Sequence, residues 1–162
     1  MKSTFFFDNP LLQKLSSDSR ENCEGRITAD ECQNVLNTFA TRNTPGNDGI
    51  PIEFYKTFWP LLGEILVKAF NEAFVKKEMS TSQRQAIITL VEKKDKDRTY
   101  LENWRPISLI NVDAKIASKV IANRIVKVLP EIIHSDQTGY VSGRYIGEAA
   151  RSILDIVEFT KF

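Results

Sequence analysis

The sequence of 162 residues is poor in the side chains on which many enzyme sites depend. It has one histidine, His134, and two cysteines, Cys23 and Cys32. Two cysteines alone offer neither a zinc-ligand spacing nor a disulfide framework, so we expect two reduced thiols in an intracellular protein of the cytoplasm and nucleus. A Ser-His-Asp or Cys-His site would have to use His134, which stands at a predicted helix end beside Ser135 and Asp136 and is expected to be a surface residue.

Long apolar runs and phosphate-binding loops are absent as well. No run approaches the ~18 apolar residues of a membrane span, and the first eight residues lack the cleavage site of a signal peptide. We therefore expect no membrane partner. The glycines of Gly46–Gly49 are too closely spaced for a P-loop, and no Lys-Ser/Thr pair follows them. The Rossmann fingerprint is also missing.

Charge is balanced overall but uneven along the chain. Charged residues make up 27% of the sequence, hydrophobic residues 42%, and the net charge is +1. Residues 1–83 carry 9 Lys and Arg against 11 Asp and Glu, whereas residues 84–162 carry 13 against 10. The composition is that of one soluble globular domain, with a mild positive excess in the second half that weakly favours a polyanionic partner.

Helical signals dominate the first half of the chain. Residues 1–26 read as an irregular lead-in. Thr28-Ala-Asp-Glu31 is a capping box, which predicts a helix ending near Arg42. The Gly- and Pro-rich segment 44–51 predicts a turn. Apolar periodicity then predicts a short helix over 51–59 and a longer one from Pro60 to about Lys77.

The second half adds a predicted hairpin. Residues 86–91 and 106–110 are rich in β-branched residues and predict two paired strands around a basic, mobile tip. A long helix follows, capped by Asn111 or Asp113 and bent or restarted at Pro130. Residues 135–143 predict a loop. A final amphipathic helix over 146–160 should turn Ile146, Ile153, Ile156 and Val157 inward, with Phe159 as a fifth candidate. The expected fold class is α+β, mostly helical with a small antiparallel sheet.

The hairpin carries the densest group of charges. Residues 84–105 hold six cations (Arg84, Lys93, Lys94, Lys96, Arg98, Arg105) and four acids (Glu92, Asp95, Asp97, Glu102). A charge run of this kind is usually a solvated loop. The sharper interpretation is that Lys93 and Arg105 project from paired strands and meet phosphates, because the guanidinium fork of Arg binds phosphate oxygens in two places.

Several segments, in order, resemble the reverse transcriptases of LINE-type (non-LTR) retrotransposons, which are related to the group II intron-type enzymes. The resemblance runs from about residue 11 to 159. Its segments are Ile27-Thr-Ala-Asp-Glu31, Thr44-Pro-Gly-Asn-Asp-Gly-Ile-Pro51, Glu53-Phe-Tyr-Lys-Thr-Phe-Trp59, Ile88-Thr-Leu-Val-Glu-Lys-Lys-Asp-Lys-Asp97, Asn103-Trp-Arg-Pro-Ile-Ser-Leu-Ile-Asn-Val-Asp-Ala-Lys115, Ala117-Ser-Lys-Val-Ile-Ala-Asn-Arg124 and Asp136-Gln-Thr-Gly-Tyr-Val-Ser-Gly-Arg144.

The resemblance implies a right-hand polymerase, with the fingers and the start of the palm in residues 27–162. It implies that Lys93 and Arg105 contact the triphosphate of the incoming deoxynucleoside triphosphate. It further implies that six residues lie near the RNA template or the RNA/DNA hybrid: Gly46, Asp48, Gly49, Gln137, Gly139 and Arg144. The sequence departs from the family pattern at Glu92, where a Pro is common, and the carboxylate adds a negative charge beside Lys93.

Such polymerases use two Mg²⁺ ions held by palm aspartates. The resemblance implies that these aspartates lie beyond residue 162, so we expect no cofactor in this chain, missing palm and thumb segments, and no activity alone. Two alternatives stay open. One is a non-catalytic RNA-binding module that uses the hairpin and the helix face with Lys115, Lys119 and Lys127. The other is a decayed interaction remnant that uses hairpin edges and the cluster of Phe5, Phe6 and Phe7.

Overall fold

The computed structural model describes residues 14–134 and 136–160, so the Phe5–Phe7 cluster lies outside the described residues. The chain divides into two compact units, Arg26–Ile121 and a second formed by Met1–Gly25 with Ala122–Phe162. The elements in chain order are α1 (Ser17–Cys23), α2 (Ala29–Thr38), α3 (Ile52–Lys76), β1 (Ala86–Glu92), a 3₁₀ turn (Leu101–Asn103), β2 (Trp104–Ile110), α4 (Val112–Ile132) and α5 (Ile146–Phe159). Helix α1 lies in the segment predicted to be an irregular lead-in.

Helix α2 begins with the predicted capping box. The Thr28 hydroxyl accepts from the Glu31 amide, and the Glu31 carboxylate accepts from the Thr28 amide. The helix ends at Thr38, before the predicted end near Arg42. Phe39 is extended, and its carbonyl oxygen accepts from the Lys56 ammonium at 2.7 Å. This bond to α3 replaces a further helical turn.

Helix α3 is continuous through Pro60, so the predicted break between two helices is wrong. An internal proline removes one backbone hydrogen bond and costs about 3 kcal/mol. Tyr55 and Trp59 before the proline and Phe70 after it are buried in the same core. Burial of these three large side chains offsets the cost of the proline.

The core of the Arg26–Ile121 unit joins three helices. Its buried members are Ile27, which precedes α2, and, from α2, α3 and α4, Cys32, Val35, Leu36, Ile52, Tyr55, Trp59, Phe70, Val112, Ile116, Ala117 and Val120. Asn71 links α3 to Ile27, because its side-chain amide both donates to the Ile27 carbonyl and accepts from the Ile27 amide, each at 2.9 Å. The first half of α4 packs in the same core through Val112, Ile116 and Val120.

The two predicted strands pair as an antiparallel hairpin, with Ala86 opposite Ile110 and Glu92 opposite Trp104. Strand β2 begins two residues earlier than predicted, at Trp104. Both faces of the hairpin expose aliphatic side chains, including Ile88 at 68% and Ile107 at 42%. The hairpin is therefore held by its backbone ladder and by its base, not by a covering layer within the described residues.

The second unit contains α1, the end of α4 and α5. The Arg124 guanidinium donates to the carbonyl oxygens of Cys23, Glu24 and Gly25, and the Cys23 thiol donates to the Arg124 carbonyl. Cys23 is half-buried and Cys32 is buried, and neither forms a disulfide bond among the described residues. Helix α4 continues through Pro130 to Ile132.

Helix α5 forms where it was predicted, but its apolar residues are not turned into a core. Ile146, Ile153 and Ile156 are each more than 60% exposed, and Val157 is 47% exposed. The predicted inward face is therefore an exposed face among the described residues. No described helix combines the length and the apolar character needed to cross a membrane.

Candidate functional site

The Gly- and Pro-rich turn lies against the junction between β2 and α4. Gly46 is buried there, and a Cβ on it would lie 2.2 Å from the Asn111 side-chain oxygen and 2.6 Å from the Ile110 carbonyl carbon. No side chain fits at that separation. The burial gives Gly46 a packing role, whereas Asp48 and Gly49 of the same turn are exposed.

Asn111 is wholly buried and joins this turn to the base of the hairpin. Its side-chain nitrogen donates to the Ser82 carbonyl at 3.0 Å and to the Ser82 hydroxyl at 2.9 Å. Its side-chain oxygen accepts from the Asp48 amide at 3.3 Å. Asn111 or Asp113 was predicted to cap α4, and Asn111 does stand directly before that helix, while its side chain connects three segments distant in sequence.

Two further contacts fix the same junction. The Gln83 side chain donates to the Asp113 carboxylate at 2.8 Å, and the Asn47 side chain donates to Gln85 at 2.9 Å. Burial, followed by the negative charges of Asp113 and Asp48, raises the pKa of the Tyr55 phenol. The turn, the segment before β1 and the start of α4 thus form one connected substructure.

Exposed members of the turn keep a defined backbone. The Asp48 carboxylate accepts from the Ile50 amide at 3.0 Å, and the Gly49 amide donates to the Gly46 carbonyl at 3.1 Å. Gly49 has φ +70°, a conformation that glycine adopts without strain. Asp48 and Gly49 are therefore presented to solvent on a fixed turn.

Lys93 and Arg105 lie together at the tip end of the hairpin. Arg105 pairs with Val91, and the Lys93 amide donates to the Asn103 carbonyl at 2.8 Å. Lys93 directly follows the last residue of β1, and if the alternation of side chains continues by one residue it lies on the same face as Arg105, as its diagonal neighbour. The structure thus brings together the two cations that the sequence singled out.

The two cations differ in their surroundings. The half-buried Lys93 donates from its ammonium to the Glu102 carbonyl at 2.7 Å. Arg105 is exposed, and its guanidinium makes no hydrogen bond or ion pair to any described residue. The Lys93 ammonium is therefore oriented by the protein, whereas the Arg105 guanidinium is open to a ligand.

The tip between the strands has an internal hydrogen-bond network, where we predicted a mobile segment. The Trp104 indole donates to the Arg98 carbonyl at 3.0 Å, and the Asn103 side chain donates to the Asp97 carbonyl at 2.8 Å. The Asp97 carboxylate accepts from the amide and the hydroxyl of Thr99. These bonds lower the pKa of Asp97.

Three of the residues predicted to lie near a template, Gln137, Gly139 and Arg144, belong to the second unit. The Arg144 guanidinium donates to backbone carbonyls at the end of α4 and in the following turn: Pro130, Ile133, His134 and Gln137. Arg144 therefore donates to carbonyls at and just beyond the C-terminus of α4, and its template contact stays a prediction.

Gln137 and Gly139 lie in the same loop. The Gln137 backbone accepts from Arg144, while its side chain is exposed. A Cβ on Gly139 would meet no atom within 4 Å, so this glycine is not required by packing. Both positions stay predictions for template contact.

Metal-binding side chains do not converge in the described part of the chain. Within residues 14–134 and 136–160, no group of three His, Cys, Asp or Glu residues could hold a metal ion.

Comparison with known proteins shows relatives encoded by transposable elements. No protein-family model matches the chain. The chain is 39% identical over 150 residues to the "Transposon TX1 uncharacterized 149 kDa protein" of Xenopus laevis. It is 28% identical over 118 residues to the "Putative 115 kDa protein in type-1 retrotransposable element R1DM" of Drosophila melanogaster.

These matches cover much of this chain and little of its relatives. They include 93% and 72% of this chain but 11% and 12% of the relatives' own lengths. The chain is thus related to proteins of transposable elements, and in particular to a protein of a retrotransposable element. The retrotransposon origin expected from the sequence is confirmed at that level, and the polymerase role stays a prediction.

Proposed function

We propose that this chain forms the fingers of an RNA-directed DNA polymerase of a non-LTR retrotransposon. Lys93 and Arg105 bind the phosphates of the incoming deoxynucleoside triphosphate. Asp48 and Gly49 lie beside the RNA template. The observation that carries the proposal is the placement of Lys93 and Arg105 on one face of the hairpin, with the Arg105 guanidinium open.

The two side chains suit a polyphosphate for different reasons. The Arg105 guanidinium is planar and can donate two parallel hydrogen bonds to one phosphate. The Lys93 ammonium has three donors, and one is held by the Glu102 carbonyl. Its remaining donors can reach a second phosphate while that bond keeps the ammonium in place. The pair therefore favours a ligand with adjacent phosphates over a single phosphate.

Catalysis of nucleotide transfer is assigned to other segments of the parent enzyme. The described residues offer no metal site, so no step of the proposal uses a metal held by them. Their work is to bind and orient the triphosphate and the template. We expect the isolated chain, given primer, template and Mg²⁺, to yield no extension product, and robust synthesis would overturn this division of roles.

Titration of the isolated chain with tripolyphosphate and a deoxynucleoside triphosphate by calorimetry tests the proposal. The Lys93→Ala, Arg105→Ala variant should bind at least about tenfold more weakly, the effect of losing one charge-assisted hydrogen bond or more. The matched control is Lys94→Ala, Lys96→Ala, which removes the same charge from exposed tip residues. The control should bind within about threefold of wild type.

Equal losses in the two variants would overturn the specific site. They would instead favour the alternative of a non-catalytic module that binds polyanions, RNA included, through its overall charge. A wild-type chain that binds neither ligand at low salt would contradict the proposal outright. Wild-type affinity in the Lys93→Ala, Arg105→Ala variant would also contradict the proposal.

A further inference from the structure

A carboxylate stands next in sequence to the proposed phosphate site. Glu92 precedes Lys93 and pairs with Trp104, which precedes Arg105. A free carboxylate at this position would repel a polyphosphate and would compete for the Lys93 ammonium. Strand alternation directs Glu92 and Trp104 to the face opposite Lys93 and Arg105. Alternation alone does not keep a flexible Glu side chain at the strand end on that face.

Arg98 holds this carboxylate by two bonds. Its Nη2 donates to Glu92 Oε1 at 2.9 Å, and its Nε pairs with Glu92 Oε2. Two parallel bonds between a guanidinium and a carboxylate fix direction as well as charge. The Glu92 carboxylate is thereby both oriented and paired with a positive charge.

The backbone of Arg98 is fixed independently of its side chain. Its carbonyl accepts from the Trp104 indole at 3.0 Å, and Trp104 is the cross-strand partner of Glu92. Glu92, Arg98 and Trp104 form a closed ring of contacts that we call the tip clasp. The tip clasp thus holds the tip residue Arg98 against the end of β1, where Glu92 lies.

We propose that Arg98 is a positioning residue for the phosphate site. This inference rests on the proposed function, because it requires phosphates to bind at Lys93 and Arg105. It keeps the Glu92 carboxylate on the face opposite Lys93 and Arg105 and neutralises its charge. Arg98 does not touch the phosphates. It acts on their affinity through Glu92.

An ion pair as exposed as this one, with side chains 71% and 44% exposed, contributes little to folding stability. Its effect on a neighbouring anion is different. Without Arg98, a full negative charge would stand one residue from Lys93, free to swing toward the ammonium. The consequence is a loss of phosphate affinity with almost no loss of fold.

A double-mutant cycle on the isolated chain, with tripolyphosphate as the probe, separates this role from a direct one. We expect Arg98→Ala to weaken binding about threefold, the size typical of an exposed charge pair. Glu92→Gln alone should leave affinity close to wild type. The combined Arg98→Ala, Glu92→Gln variant should regain the affinity that Arg98→Ala loses.

Arg84→Ala is the matched control, because Arg84 is an exposed arginine with its own ion pair to Glu78 at 3.0 Å. It removes the same charge and the same kind of bond away from the clasp, and should leave binding near wild type. The Trp104 indole proton signal in NMR spectra verifies that the tip stays folded in each variant.

The outcomes distinguish the two proposals. Binding that depends on Lys93 and Arg105 but not on Arg98 overturns the positioning role alone. If Arg98→Ala binds weakly and the combined variant does not recover, Arg98 is a direct ligand of the phosphates. That result also overturns the positioning role. No binding by the wild-type chain overturns the proposed function and this inference together.

Discussion

The Cα of Gly46 lies so close to Asn111 that a Cβ added to the glycine would sit 2.2 Å from the Asn111 side-chain oxygen and 2.4 Å from its backbone nitrogen. The contact joins a turn in the first third of the chain to the start of α4. It lets the Asn111 oxygen accept from the Asp48 amide, two residues beyond the glycine. The orientation of the exposed turn residues thus depends on a buried glycine.

Replacing Gly46 by alanine should destabilise the chain. The new methyl group would have to displace Asn111 and the backbone beside it, which costs about 1–3 kcal/mol in a packed interior. Urea unfolding of the variant measures the loss. Gly139→Ala is the control, because a Cβ there meets nothing within 4 Å. Equal stability of the Gly46→Ala and Gly139→Ala variants would contradict the close approach.

Removing the Asn111 side chain should cost more than removing an exposed asparagine. Asn111→Ala leaves the Ser82 carbonyl and the Asp48 amide without their partner, and we expect a loss of about 2–3 kcal/mol. Asn43, whose exposed side chain makes a single bond to the Ala40 carbonyl, supplies the control variant Asn43→Ala. Chemical denaturation that ranks the two variants in the opposite order would refute the role given to Asn111.

Local signals in the sequence were sufficient for the short-range features. The Thr28–Glu31 capping box and the β-branched runs of the hairpin depend on neighbouring residues, and both form as predicted. The placement of Lys93 and Arg105 followed from pairing of those strands. Asn111 was different, because Asn before a helix is a common cap. Its true partners, Ser82 and Asp48, are 29 and 63 residues away.

Tertiary packing explains the features that the sequence did not reveal. Pro60 reads as a helix start, yet burial of aromatic residues on both sides keeps α3 continuous. The periodicity of α5 showed which face is apolar but not what covers it, and Ile153 and Ile156 are exposed. The acceptors for the Arg144 guanidinium are backbone carbonyls. Because every residue has a carbonyl, the sequence does not indicate which of them an arginine will contact.

Arg144 should matter for stability and not for phosphate binding. Arg144→Ala frees carbonyls at the end of α4, and the loss of charge-assisted hydrogen bonds to them should cost about 1–3 kcal/mol. Arg151→Ala removes an exposed arginine of α5 and is the charge-matched control. Thermal unfolding that leaves the two variants equal, or a loss of tripolyphosphate affinity specific to Arg144→Ala, would contradict the helix-capping role.

Acid should loosen the hairpin tip through Asp97. Bonds from the Thr99 amide and hydroxyl lower the pKa of Asp97 in the folded chain. The stabilisation is therefore complete above the ordinary aspartate pKa of about 3.9 and is lost as pH falls through the depressed folded value. Carbon-13 NMR of the carboxyl should show titration below that ordinary value. Titration at or above it would show that the turn does not form.

Residue-level mapping of a bound deoxynucleoside triphosphate by amide NMR tests whether Lys93 and Arg105 bind its phosphates. We expect the largest shifts on titration at Lys93, Arg105 and their cross-strand neighbours. These shifts should vanish in the Lys93→Ala, Arg105→Ala variant and persist in the Lys94→Ala, Lys96→Ala variant. Shifts centred on Lys94 and Lys96, or spread evenly over the basic surface of the chain, would contradict it.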